Sequence, residues 1–265
     1  MWRQLAKDLT LGTCQKLPFS VAISIGKTLL AAQGFGAGGR IASSGETSIF
    51  SLINGSSPIL FDVGGHIGEY SEAFLRAFPN GKSYSFEPSA SHFALLQERL
   101  GAHPNVNLFA IGLGSEPGTL PLYKDREVSG LASLSQRRLD HFNIQMNHVE
   151  MVKISTVDAI VQDASLSAID LLKIDVEGHE LSVLNGAVKS MELGIIRLVQ
   201  FEFGGCDLDT RTNLQDFFYF FKQFDFVVGL VRPHGRIQPL ERYDEFYEHY
   251  RTTNFVAAPR SILLT

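Results

Sequence analysis

The chain of 265 residues has only two cysteines, Cys14 and Cys206, one tryptophan and no long unbroken apolar run. Two cysteines so far apart exclude a disulfide framework and a cysteine-rich metal site, and they fit a reducing cytoplasm. The most apolar early stretch, Phe19 to Ala32, is broken by Ser20, Ser24 and Lys27. It is too short and too polar to span a bilayer. It is expected as a helix packed on the main domain, with a membrane-surface or partner-binding helix as the alternative. No short apolar core follows the first basic residues, so a secretory signal is not expected. Clusters of lysine and arginine are missing as well, and 23 basic residues against 28 acidic ones give a net charge of −5. Nucleic acid gripped through its phosphates is therefore disfavoured. Internal repeats, low-complexity segments and a Gly-Lys-Ser/Thr phosphate loop are also absent.

What is present is an ordinary globular composition, 45% hydrophobic and 19% charged, over a length that suits one large α/β domain or two small ones. Residues 1–57 read as helix, a glycine-rich link at Gly34–Gly39 and a second helix around Glu46–Ile53, together an N-terminal helical cap. From Pro58 the pattern alternates apolar strands with amphipathic helices, so residues 58–265 form the second and larger unit. Strands are expected at Ile59–Val63, Lys82–Glu87, Asn105–Ile111, Ile169–Asp175, Ile195–Phe203, Phe226–Val231 and Asn254–Ala258. Short strands near Leu120–Tyr123 and Glu150–Ser155 fall in a less regular region. Seven strands separated by helices predict a mainly parallel sheet covered on both faces, a Rossmann-like α/β fold.

In such a sheet, ligands bind outside the carboxyl ends of the strands. Four acids fall at those ends: Asp62, Glu87, Asp175 and Glu202. Between Asp62 and the next helix lie Gly64, Gly65 and Gly68, a tight turn opening on a helix N-terminus. Glu87 follows Gly68 by 19 residues and ends strand two, where a carboxylate accepts the ribose hydroxyls of an adenosine. The dinucleotide fingerprint needs glycines at the first, third and sixth positions; counted from Gly64, the third and sixth places hold His66 and Glu69 instead. Asp62 beside the turn would repel a pyrophosphate but suits a ligand with positive charge, such as the ammonium and sulfonium of S-adenosylmethionine. Asp62, Gly64, Gly68 and Glu87 are accordingly the expected cofactor-binding residues.

The segments "FDVGGHIGEYS", "YSFEPSASHFALL", "IDLLKIDVEGHELSVLNGA" and "QFEF", in this order and spacing, resemble the FkbM family of S-adenosylmethionine-dependent methyltransferases. The likeness runs from about Gly45 to Pro259, and "KIDVEGHE" is its most specific part. "DVGGHIG" departs from the family's usual "DVGANIG", with Gly65 and His66 in place of Ala and Asn. The resemblance implies a class I methyltransferase fold and O-methylation of a sugar, macrolide or other small-molecule hydroxyl.

A hydroxyl acceptor must lose its proton, which calls for a base or a metal ion. Asp175 ends strand four, Lys173 lies two residues back on the same strand face, Glu177 and His179 follow at the turn, and Glu202 projects from strand five. In one version Asp175 or His179 accepts the proton, with Glu202 or Glu177 orienting it. In the other, Asp175 and Glu202 bind a divalent cation, magnesium or manganese by the all-oxygen ligand set. For Lys173 the plainer reading is an ion pair, for His179 an exposed helix-start residue, and for Glu180 a cap. Tyr123–Val149, with Arg137, Arg138 and His141, is long enough for a lid over the acceptor. Asp216–Phe226 reads as a core helix, and Tyr243, Phe246, Tyr247 and Tyr250 as a helical stripe for core packing or for a homodimer. Three other functions compete with a small-molecule methyltransferase: a non-catalytic adenosine-binding module, an NAD-dependent oxidoreductase, which the missing third-position glycine disfavours, and an RNA methyltransferase.

Overall fold

The computed structural model describes residues 11–264 apart from 13 and 40. Its strands are β1 (Ile59–Val63), β2 (Lys82–Phe86), β3 (Val106–Phe109), β4 (Gly112–Leu113), β5 (Gly118–Lys124), β6 (His148–Ser155), β7 (Leu171–Ile174), β8 (Val199–Phe203), β9 (Phe226–Arg232), β10 (Arg236–Leu240) and β11 (Thr253–Pro259). The main sheet runs β10-β9-β11-β8-β7-β1-β2-β3, with β1, β2, β3, β7 and β8 mutually parallel and β11 antiparallel to both β8 and β9. β7 and β8 are buried along their whole length, and the polar residues they carry, Lys173, Gln200 and Glu202, are buried with them. The order of the strands reverses at β1, between β2 and β7, and a ligand crevice is expected at that switch point.

The sheet has eight strands rather than the seven expected. The extra one, β10, folds back on β9 through Pro233, His234 and Gly235, the last two at φ 70° and 78°. It escapes sequence reading because Pro239 lies inside it, and an edge strand tolerates a residue that donates no ladder hydrogen bond. A separate three-stranded sheet, β4-β6-β5, occupies the region that reads as irregular, with Leu122, Val152 and Ile154 as its own small core.

Two expectations are corrected. The stripe Tyr243, Phe246, Tyr247 and Tyr250 forms no α-helix: only a 3₁₀ turn, Glu245–Tyr247, is present, and Tyr250 has φ 46°. Glu248, within it, instead accepts hydrogen bonds from the amides of Leu214 and Gln215 at 3.0 Å each, capping the helix Leu214–Lys222. The rings serve packing: Tyr247 stacks on Phe35 and Phe218, and Tyr250 lies against Phe203. The second correction concerns the helix Phe19–Gln33, which has no fully buried residue and packs on the domain near its C-terminal end, where Leu30 meets the core, rather than along its length. It ends at Gly34, in the left-handed region at φ 114°, where a Cβ would stand 2.7 Å from the Val231 carbonyl oxygen.

The rest of the N-terminal segment is built into the fold. Phe35 belongs to the core on one side of the sheet, and Ile49 and Ile53 to the core on the other, with Leu60, Phe74 and Leu171. The Gly38 amide donates to the Thr252 carbonyl at 2.9 Å. Among the described residues no helix is long and apolar enough to cross a membrane.

Candidate active site

A cavity of about 990 Å³ opens along the carboxyl ends of β2, β1, β7 and β8. Glu87 lies at one end of this row and Glu202 at the other, three strand steps or roughly 14 Å apart at the usual strand spacing. The N-terminal residues Gly38, Gly39, Ile41, Ala42 and Glu46 line it, as do Leu131, Ala132, Leu134 and Arg137 of the segment expected to form a lid.

The turn after β1 is set by a close approach of two strands. Gly64 has φ 79°, and a Cβ there would stand 1.9 Å from the Asp175 carbonyl oxygen. No other residue fits while β1 and β7 pair at Val63 and Ile174. The amides of Gly64 and Gly65 both donate to the Phe86 carbonyl at 3.0 Å, and the His66 amide donates to Glu87 Oε2 at 2.9 Å. Gly64 and Gly65 line the cavity; Gly68 does not. Gly68 precedes the helix Glu69–Ala77 at φ 87°, and a Cβ there would meet Leu96 and Leu100 at 2.9 Å, so its role is packing rather than ligand contact.

Glu87 faces the cavity and is held from three sides. Besides the His66 amide, the Ser89 amide donates to Oε1 at 2.9 Å, and His92 Nδ1 stands 3.6 Å from the same oxygen. His92 Nε2 accepts from the Ser129 amide at 3.0 Å, so the neutral ring carries its proton on Nδ1, toward Glu87. The His66 ring stands on the His92 ring, centroids 4.4 Å apart. Burial, and then His92, lower the pKa of His66, against an opposing pull from Glu87.

Asp62 is a second correction to the expected cofactor set. Its carboxylate is fully buried behind the turn, accepts from Ser71 Oγ at 2.7 Å and pairs with Lys173 Nζ at 3.2 Å. It touches the ligand space only through Lys173, whose Nζ also donates to the Gly64 carbonyl at 3.1 Å and stands 3.5 Å from Asp175. Burial alone would lower the pKa of Lys173, but Asp62, Asp175 and Glu46 outweigh it and raise the pKa. A lysine held charged in this way accepts no proton, so Lys173 is a positioning group and not a base.

Sequence reading did not single out Glu46 for the site. It accepts from Ser44 Oγ at 2.9 Å and from Gln200 Nε2 at 3.0 Å, and Gln200 in turn accepts from the Tyr70 hydroxyl. Burial raises the pKa of Glu46, and Lys173 opposes this. No local pattern marks it, because the contact spans most of the chain.

At the other end, Asp175, Glu177 and Glu202 converge, each offering a carboxylate oxygen within 4.8 Å of the others'. Glu177 sits in the left-handed region at φ 55°, its carbonyl accepts from Ser133 Oγ at 2.7 Å, and Arg137 Nη1 donates to its Oε2 at 2.6 Å. Burial and Asp175 push its pKa up to about 7, with Arg137 pulling the other way. Burial, followed by Asp175, Glu177 and Glu180, raises the pKa of Glu202 well above the ordinary range. Glu180 is fully buried and accepts from the amides of Val176 at 2.9 Å and Gly178 at 3.0 Å, so it ties the loop after β7. His179 does not reach the cavity: its Nε2 lies 2.9 Å from Ser135 Oγ, which removes it as the base.

Oxygen donors in this number suit a hard divalent cation, so Glu177 joins the expected pair Asp175 and Glu202 as a residue able to hold one.

Residues 62–235 match the family model of the methyltransferase FkbM domain. Among curated proteins, the chain is 28% identical over 142 residues to Methyltransferase 1 of Beauveria bassiana, covering 48% of this chain and 57% of that one. It is 24% identical over 152 residues to the 2-O-methyltransferase NoeI of Sinorhizobium fredii, covering 54% of this chain and 63% of that one. It thus spans less than two thirds of the length of these relatives. A crystal structure of an FkbM methyltransferase from Methylobacillus flagellatus overlaps 78% of this chain and 45% of that one, at 17% identity and a TM-score of 0.49. By the match over residues 62–235, which takes in the glycine turn and every acid of the site except Glu46, the chain belongs to the FkbM family and carries a methyltransferase domain.

Proposed function

We propose that the chain transfers a methyl group from S-adenosylmethionine to a hydroxyl of a small polyhydroxylated molecule such as a sugar. The observation that carries this reading is the carboxylate cluster Asp175, Glu177 and Glu202, placed in the same cavity as Glu87. The relative named a 2-O-methyltransferase supports the choice of oxygen as acceptor. The cofactor supplies an activated methyl group when bound. The protein then has to align it in-line with the acceptor oxygen and remove one proton.

Glu87 takes the ribose hydroxyls, and the bare backbone at Gly64 and Gly65 lets the ligand approach the turn. Lys173 holds Asp62 and Asp175 in register across β1 and β7. Glu202 is the base: its buried carboxyl ionises when positive charge is placed beside it, and then accepts the hydroxyl proton. Arg137 orients Glu177 from the segment over the site. Were a divalent cation held by Asp175, Glu177 and Glu202, it would lower the pKa of the acceptor hydroxyl directly. Residues 58–265 are the catalytic unit in this reading, and residues 35–57 its fitted cover.

The test is release of S-adenosylhomocysteine from S-adenosylmethionine with a panel of hexoses and hexuronates, before and after chelation and repletion with magnesium. Asp175→Asn and Glu202→Gln should each lower turnover by about 10²–10⁴-fold while retaining cofactor binding. Full turnover in both variants would remove the carboxylate cluster from the mechanism.

A further inference from the structure

The helix Phe19–Gln33 is the least explained element of the fold. It is fixed at its C-terminal end, where Gly34 packs on β9 and Arg232 Nη2 donates to Gln33 Oε1 at 2.6 Å. Only Ala22, Gly26, Leu30 and Ala31 along it are partly covered. Leu17, just before it, and Phe19, Val21, Ile23, Ile25 and Leu29 within it are exposed, Phe19 by 82% and Leu29 by 63%. At about 100° per residue, Ser20, Ser24, Lys27 and Thr28 share one sector, Ala22, Gly26 and Leu30 turn toward the domain, and Val21, Ile25, Leu29 and Ala32 form an exposed apolar stripe between them. Soluble proteins rarely leave so contiguous an apolar surface in water.

The charge around it says what covers it. From Leu9 to Gly45 the charged residues are Lys16, Lys27 and Arg40, with no acid, in a chain whose net charge is −5. Lys16 and Lys27 are exposed, Lys27 in the polar sector of the helix. A second copy would bring the same positive charge to the contact, whereas an anionic lipid surface is complementary to it. The helix is too short to cross a bilayer, and its polar sector suits lying in the interface.

We infer that the helix Phe19–Gln33 lies in the headgroup region of an anionic membrane, its apolar face in the lipid and its lysines at the phosphates. The chain runs from this helix through Gly34 to Gly38, Gly39, Ile41 and Ala42, which line the cavity, so docking brings the cavity to the lipid surface. The inference stands independently of the reaction proposed above.

Vesicle flotation with the full chain tests it, using phosphatidylcholine vesicles with or without about a third phosphatidylglycerol. The expected result is flotation with the anionic vesicles, weakened about thirtyfold by Lys16→Gln with Lys27→Gln, at about fivefold per lysine. Phe19→Ser, Ile25→Ser and Leu29→Ser together should abolish flotation while the circular dichroism spectrum and melting temperature stay as in the parent. The inference is overturned by absence of flotation with both vesicle types, or by undiminished flotation of the triple variant. A stable dimer of the parent chain that the triple variant splits would overturn it too, by giving the face to a second copy.

Discussion

Replacing Lys173 by methionine keeps the volume of the side chain and removes its charge. In the structure this strands a carboxylate: Asp62 is wholly buried, its ion pair with Nζ at 3.2 Å is lost, and only the Ser71 hydroxyl at 2.7 Å remains. The Gly64 carbonyl loses its 3.1 Å donor at the same time. Both members of the pair are more than nine-tenths buried, so solvent screening does not reduce the effect. Breaking a buried pair from one side costs about 3–5 kcal/mol. For a domain of this size that is a fall in melting temperature of roughly 6–20 °C. Urea unfolding at pH 7 measures the loss. Adding Asp62→Asn to Lys173→Met removes the stranded charge and should restore more than half of the lost stability, since two neutral groups carry no such penalty. A single variant that unfolds within about 1 kcal/mol of the parent would refute the reasoning, because a pair that costs so little to break does not hold the turn. So would a double variant less stable than the single one.

Three further outcomes follow from the same geometry. Glu87→Ala should weaken S-adenosylhomocysteine binding by about tenfold to a hundredfold in calorimetry, the worth of a hydrogen bond to a charged acceptor, and unchanged affinity would take the ribose away from Glu87. His66 keeps an exposed edge, but partial desolvation beside Glu87 and His92 lowers its pKa, so its modest stabilising contribution is whole above the ordinary histidine range and is lost as the pH falls through the lowered value. On moving from pH 7 to pH 5 the parent should therefore lose more unfolding free energy than His66→Asn; equal losses would contradict the assignment. Cys206 is 3% exposed, and burial together with Glu180 and Asp207 raises the pKa of its thiol, whereas Cys14 is exposed. Iodoacetamide should modify one thiol in the folded protein and two after unfolding, as counted by mass spectrometry.

The parallel half of the sheet and the position of the crevice were legible from sequence, because β1, β7 and β8 are short, mostly apolar segments with acids at their carboxyl ends. Glu87, Asp175 and Glu202 could be placed by that rule alone. Asp62 could not, since a strand-end acid looks the same whether it faces the ligand or a buried lysine on the next strand. His179 turned away because the helix after β7 starts one residue later, and Ser135 was there to receive its ring. The stripe from Tyr243 to Tyr250 has helical spacing, yet Glu248 is committed to the N-terminus of another helix, a contact no local pattern reveals. Glu46 and Arg137 reach the cavity from outside the sheet, and their places depend on how distant segments cover it.

The central claim is that the turn at Gly64 and Gly65 and the acid Glu87 hold an adenosine-bearing methyl donor. Calorimetric titration with S-adenosylhomocysteine, with NAD as control, tests it most directly. Micromolar binding of S-adenosylhomocysteine without binding of NAD is the predicted result. Tight binding of NAD, or no binding of S-adenosylhomocysteine, would contradict it.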